Sequence, residues 1–127
     1  MSTTILVADD DDGYRFPIVS LLEDHGFIVL EATNEEDVIG HAPNAQLWIV
    51  DVRLPSGANE GIRAITRLAE NTTRSEYPVI FISVLPESLA PEVRDLKERR
   101  VAYEWIEKPF ELELLLSRVM TLIGERI

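Results

Sequence analysis

The sequence predicts an α/β fold, a doubly wound parallel sheet with helices on both faces. Three observations predict it. Short runs rich in branched or aromatic residues alternate strictly with longer runs of helical spacing. Turn and capping residues separate the two kinds of run. Acidic residues, a serine and a lysine stand where the apolar runs end. Strict alternation of strands and helices implies a parallel sheet covered on both faces.

The predicted strands are residues 5–8, 27–30, 47–50, 79–82 and 103–106, each flanked by polar or turn residues. In the first helix Ile18, Leu21 and Leu22 share a face, and His25-Gly26 is the stop. Pro17 is expected in that helix's first turn, because deeper inside it removes a backbone hydrogen bond. The second helix has Asn34 as N-cap, with Glu35, Glu36 and Asp37 complementing the dipole of the first turn. A third helix over 60–71 carries Ile62, Ile65 and Leu68 as its apolar stripe. A fourth over 91–100 turns Val93 and Leu96 inward and leaves Arg94, Lys97, Arg99 and Arg100 on a solvated face. The fifth follows Pro109 and carries Leu112, Leu115, Leu116, Val119, Leu122 and Ile123. Leu114, Met120 and Ile127 lie outside that stripe and suggest a partner or dimer surface.

Composition bounds the function. The length suits a single domain, residues 1–127, and 46% hydrophobic content supports a core. No apolar run reaches the length of a membrane span, and residues 1–4 carry no leader pattern, so no membrane role is expected. With no cysteine there is neither a disulfide nor a thiolate metal site, which suits the cytoplasm. A net charge of −11 argues against direct nucleic-acid binding, since phosphate backbones are held mainly by Lys and Arg.

In open parallel sheets the ligand site lies beyond the carboxyl ends of the strands. There the sequence places Asp9-Asp10-Asp11-Asp12 after strand one, Asp51 after strand three, Ser83 after strand four and Lys108 after strand five. Clustered carboxylates repel one another and call for a cation. Oxygen donors without His or Cys select a hard ion such as Mg²⁺, held by one or two carboxylates and a phosphate oxygen. A metal, an ammonium and a hydroxyl around one carboxylate suit a transferring phosphoryl group. Asp51 would attack, Lys108 would stabilise phosphoryl charge, and Ser83 would donate a hydrogen bond. Asp11 and Asp12 read as capping residues, Trp48 as packing, and His25 and His41 as helix-end residues.

The stretches Ile5-Leu6-Val7-Ala8-Asp9-Asp10, Trp48-Ile49-Val50-Asp51-Val52-Arg53-Leu54-Pro55, Val79-Ile80-Phe81-Ile82-Ser83 and Glu107-Lys108-Pro109-Phe110 together resemble the response-regulator receiver domains of two-component signalling. The resemblance covers essentially the whole chain. It implies a flavodoxin-like (βα)5 fold with strand order 2-1-3-4-5, and a Mg²⁺-dependent switch rather than a metabolic enzyme. By the same resemblance Asp51 is the phosphoacceptor, Asp9, Asp10, Asp51 and the backbone carbonyl of Arg53 are the metal ligands, and Ser83, Lys108 and Trp105 are the switch residues. The Lys108-Pro109 bond is often cis in that family. The implied partner is a histidine kinase or phosphotransfer protein, while Leu114, Met120 and Ile127 suggest a homodimer across the fourth helix, fifth strand and fifth helix.

Some residues depart from the family pattern. After Leu54-Pro55 the loop Ser56-Gly57-Ala58-Asn59-Glu60-Gly61 is longer before its glycine than the family's usual loop. Val84 and Leu85 bring apolar bulk beside Ser83, and Trp105 stands where Tyr or Phe is common. Competing readings are a non-switching scaffold, an aspartyl-phosphate hydrolase and a flavin binder. The hydrolase usually carries a second Asp where this chain has Arg53, and Asp9–Asp12 would repel a flavin phosphate.

Overall fold

Five apolar segments form strands: β1 (Thr4–Ala8), β2 (Ile28–Ala32), β3 (Leu47–Asp51), β4 (Val79–Ser83) and β5 (Tyr103–Glu107). The computed structural model describes residues 2–55, 59–70, 78–99 and 101–125. All neighbouring strands pair in parallel, in the order β2-β1-β3-β4-β5. The interior strands β3 and β4 are buried at every position, as their unbroken apolar runs require when helices cover both faces. Edge strands β2 and β5 are more open. The second strand begins one residue later than its apolar run and extends to Ala32, because β1 pairs with it as far as Ala8↔Ala32.

Alternate residues of each strand face opposite sides. Leu6, Ala8, Trp48, Val50, Val79 and Phe81 pack against Val38, Ile62, Ile65, Val93 and Leu96 on one side. Ile5, Val7, Leu47, Ile49, Ile80, Ile82 and Ile106 pack against Ile18, Leu22, Leu115 and Val119 on the other. Trp48 is a core residue, as expected, and its indole N–H donates to the Ala42 carbonyl at 2.9 Å.

The helices are α1 (Asp12–Asp24), α2 (Glu35–His41), α3 (Glu60–Glu70), α4 (Val93–Glu98) and α5 (Leu112–Glu125). Asp11 caps α1 by accepting from the Gly13 N–H at 2.8 Å, and Asp12 pairs with Arg15 at 2.6 Å. The capping role read for both belongs to Asp11 alone; Asp12 is the first helical residue, and its carboxylate holds the Arg15 side chain instead of a backbone N–H. Because α1 begins at Asp12, Pro17 falls in its second turn, not its first. The helix continues through it even though a proline has no N–H to offer the Gly13 carbonyl. Ile18 and Leu22, fully buried on the sheet, hold the helix together there. The helix ends at His25, and Gly26 takes the left-handed turn at φ 87°.

Asn34 caps α2 by accepting from the Asp37 N–H at 2.9 Å, and His41 lies in the helix's last turn. The fourth helix is shorter than its apolar spacing suggests. Ahead of Val93 the chain runs as a 3₁₀ turn, Glu87–Leu89, and Val93 and Arg94 donate to the carbonyls of Ala90 and Pro91, three residues back. Val84 and Leu85 thus begin a connection, not a helix. The sequence expectations for Ser56, Gly57, Ala58, Asn71, Arg100 and Ile127 lie outside the described residues.

Candidate functional site

The sheet delivers its polar residues to one edge. β1 ends at Ala8, and the Asp9 N–H still pairs with the Ala32 carbonyl at 3.1 Å, so Asp9 is held as tightly as a strand residue. Its side chain is completely buried. One carboxylate oxygen accepts from the Asp11 N–H at 2.9 Å, which turns the chain toward α1. The next residue, Asp10, is exposed at the rim.

Asp51 closes β3 and is 6% exposed. Its Oδ1 accepts from the Arg53 N–H at 3.0 Å and its Oδ2 from Lys108 Nζ at 2.9 Å. The same ammonium donates to Asp9 Oδ2 at 2.8 Å. Lys108 leads out of β5, its own N–H bound to the Ser83 carbonyl at 2.7 Å, and the Lys108-Pro109 bond is cis. Oxygens of Asp9, Asp10 and Asp51 all lie within 4.8 Å of one another. The sheet therefore brings together residues far apart in the sequence.

The electrostatics follow from two buried carboxylates, Asp9 and Asp51, sharing one lysine, with Asp10 at the rim. Burial and the neighbouring Asp9 push the Asp51 carboxyl up to about 7, although Lys108 and the Arg53 N–H pull it back. Burial works against the Lys108 ammonium, but its hydrogen bonds and charge contacts with Asp9 and Asp51 win and raise it. The donor set is all oxygen, carries excess negative charge and opens to solvent at Asp10. It fits a hard divalent cation that retains water ligands.

Ser83 is fully buried at the end of β4, and its hydroxyl oxygen accepts from the Leu85 N–H at 3.0 Å. Trp105 donates its indole N–H to the carbonyl of the same Leu85 at 3.0 Å, with its ring 5.9 Å from that of Phe81. The two switch candidates thus hold the N–H and C=O of one residue. Val84 is 57% exposed, so its bulk lies at the surface rather than among the buried groups around Asp51.

Two contributors, Arg15 and Tyr14, were missed in the sequence, and a third, Gly61, was read only as the glycine that ends the loop after Pro55. Arg15 is buried and donates to the Asp9 carbonyl at 2.7 Å and to Glu31 at 3.0 Å, bracing the turn that carries Asp9. Its i, i+3 spacing from Asp12 was the available signal. Gly61 N–H bonds to the Val52 carbonyl at 2.9 Å, and a Cβ there would lie 2.0 Å from the Asp51 carbonyl oxygen. Only glycine allows α3 to start so close to β3. Tyr14 places its ring 4.1 Å from Lys108 Nζ, and nothing in its spacing marked it.

A five-stranded parallel sheet in this order, ending in a buried acidic pocket with a lysine, defines a receiver of the two-component class. The model of the response regulator receiver domain matches residues 5–120, and the chain belongs to that family. It is a phospho-switch domain rather than a metabolic enzyme. It is similar to response regulator RR06 of Streptococcus pneumoniae, 30% identical over 94% of this chain and 52% of that protein. It is also similar to protein PilH of Pseudomonas aeruginosa, 26% identical over 94% of this chain and 97% of that one. A cyclic di-GMP phosphodiesterase of Thermotoga maritima is 27% identical over 98% of this chain but only 32% of its own length. The chain thus spans about half or less of some curated relatives it matches. Among solved structures, a CheY-like receiver domain from Methanospirillum hungatei superposes with a TM-score of 0.81 at 20% identity, covering 98% of this chain and 96% of that one. The BeF3-activated DrrB receiver domain gives 0.77 at 26% identity, covering 98% and 99%. A receiver domain implies a histidine kinase as partner. Among the described residues no helix is long and apolar enough to cross a membrane.

Proposed function

We propose that Asp51 is the phosphoacceptor of a two-component relay, and that residues 1–127 form one receiver domain. The observation that carries this reading is the buried Asp51 carboxylate with Lys108 Nζ at 2.9 Å and two further carboxylates beside it. An Asp51 oxygen attacks phosphorus in a phosphohistidine donor or a small acyl phosphate. The new O–P bond forms as the donor's N–P or O–P bond breaks, and the donor departs with its electron pair. Lys108 balances charge on the phosphoryl oxygens. Ser83 turns its hydroxyl to donate to a phosphoryl oxygen, the turn breaks the bond its oxygen accepts from the Leu85 N–H, and Leu85 is then held through its carbonyl by the Trp105 indole. Asp9, Asp10, Asp51 and the Arg53 carbonyl would hold Mg²⁺, which when bound supplies charge neutralisation at the phosphoryl group.

The consequence is a population shift. Contacts from Ser83 and Lys108 to the phosphoryl group exist only when it is present, so they favour a second arrangement of the β4–α4 connection. The surface altered is α4–β5–α5, where Leu114 and Met120 stand 48% and 52% exposed and suit a second copy of the chain or an output domain. Phosphoryl transfer from a cytoplasmic histidine kinase or phosphotransfer protein completes the scheme, with no nucleic acid bound by this domain.

Intact-mass measurement after incubation with Mg²⁺ and acetyl phosphate tests the reading. We expect one added phosphoryl group, lost in Asp51→Asn and without Mg²⁺. No adduct under any condition, or an adduct retained in Asp51→Asn, overturns it. The first outcome moves the assignment to a non-switching scaffold, held in one state by the shared grip of Ser83 and Trp105 on Leu85.

A further inference from the structure

The Lys108 ammonium is enclosed on three sides. Asp9 and Asp51 accept from it at 2.8 and 2.9 Å, and the Tyr14 ring lies with its centroid 4.1 Å from Nζ. The side chain of Lys108 is 6% exposed. An ammonium over an aromatic face is attracted by the negative face of the ring, and more strongly where water is excluded. Tyr14 is itself fixed from two directions. Its N–H bonds to the Asp11 carbonyl at 3.0 Å in the first turn of α1, and its ring meets that of Phe110 at 5.9 Å. It therefore links the start of α1 to the segment that carries Lys108.

We propose that Tyr14 is a positioning residue for phosphoryl acceptance, its ring holding the Lys108 ammonium at the Asp51 site. The inference rests on the reading of Asp51 as the phosphoacceptor. The reason the ring is needed lies in what acceptance does to the other two contacts. When Asp51 becomes an acyl phosphate it loses its carboxylate charge, and Lys108 has to transfer a hydrogen bond to a phosphoryl oxygen. A lysine stem has several freely rotating bonds, and a charge partner that changes identity does not restrain them. The ring contact does not depend on the charge of Asp51. It keeps the ammonium in place throughout the transfer, and orientation of this kind is worth rate.

The experiment compares wild type, Tyr14→Leu and Tyr14→Phe, each also carrying Lys108→Met. The rate of adduct formation with acetyl phosphate and Mg²⁺ is followed by intact mass. Leucine keeps the helix propensity and most of the apolar area. Phenylalanine keeps the ring. We expect Tyr14→Leu to slow the reaction about tenfold and Tyr14→Phe to keep most of the rate. With Lys108→Met present, Tyr14→Leu is expected to have no further effect, because its action passes through the ammonium. A second readout needs neither phosphodonor nor metal. The Lys108 ε-methylene protons are expected to shift upfield through the ring current in wild type and Tyr14→Phe, and to return to ordinary lysine values in Tyr14→Leu. An adduct forming at the wild-type rate in Tyr14→Leu overturns the inference alone. So does equal slowing with and without Lys108, or an ordinary ε-methylene shift in wild type. No adduct in wild type overturns the phosphoacceptor reading together with it.

Discussion

Asp51 carries a stability cost that comes from its burial beside Asp9. Folded, it keeps its proton up to about 7, whereas the ordinary value is 3.8. Between these values the folded chain holds one proton more than the unfolded chain, so stability falls as pH rises. The contribution is fully present below about 3.8 and gone above about 7. Asp51→Asn cannot ionise and escapes this fall. In chelator we expect it to be more stable than wild type at pH 8 by about 1–2 kcal/mol, with the gap closing toward pH 5. Thermal melts at the two pH values check this, and an equal gap at both contradicts the assignment of the shift to Asp51. At Gly61 the constraint is steric. A methyl group would sit 2.0 Å from the Asp51 carbonyl, against backbone that cannot swing aside. Gly61→Ala is expected to lose roughly 2–4 kcal/mol in urea unfolding, and a loss under about 0.5 kcal/mol would show that α3 can retreat.

Among the elements, the β4–α4 connection is the one on which the proposed switch acts. It is tied to β5 at separate points. Trp105 holds the Leu85 carbonyl at 3.0 Å, and the Tyr103 hydroxyl donates to Glu87, which also pairs with Lys97 at 3.3 Å. The Tyr103 hydrogen bond, followed by Lys97, holds the Glu87 carboxyl below its ordinary value despite partial burial. Within the 3₁₀ turn it anchors, the N–H groups of Leu89 and Ala90 bond three residues back to the carbonyls of Pro86 and Glu87. Tyr103→Phe removes one tie and leaves the ring packed on Phe81, whose centroid lies 5.7 Å away. We expect amide exchange at Leu89 and Ala90 to quicken several-fold while β1 amides are unchanged. Unchanged exchange at Leu89 and Ala90 would mean that Trp105 alone secures the connection.

For the molecule as a whole the governing quantity is charge. The chain has a net charge of −11, and three of its carboxylates meet within 4.8 Å. A divalent cation bound only by the folded chain stabilises it by mass action, and here it also relieves repulsion among those carboxylates. Millimolar Mg²⁺ is expected to raise the melting temperature by several degrees, with the gain lost in Asp10→Ala. No shift in wild type, or an unchanged shift in Asp10→Ala, counts against the acidic cluster as the site. Asp10 is the informative choice because it is exposed and its loss removes no buried contact.

The sequence by itself determined the element order, the parallel sheet and the residues at its carboxyl edge. These are legible because each has a local cause: continuous apolar runs for β3 and β4, a cap at Asn34, and polar residues at the strand ends, Asp51 and Ser83 closing β3 and β4 and Asp9 and Lys108 following β1 and β5. Local cause was not enough for Pro17, where burial of Ile18 and Leu22 carries α1 through the residue that lacks an N–H. It was not enough for α4 either, whose start waits on the i to i+3 bonds of the preceding turn. Only the tertiary structure decided that Ser83 and Trp105 share Leu85, that Arg15 braces Asp9, that Gly61 touches the Asp51 backbone and that Tyr14 walls in Lys108. These contacts join residues from different elements, and periodicity along one element says nothing about them. They are set by how closely the strand ends and helix starts pack at one edge of the sheet, where burial turns an ordinary aspartate into one that holds its proton near neutral pH.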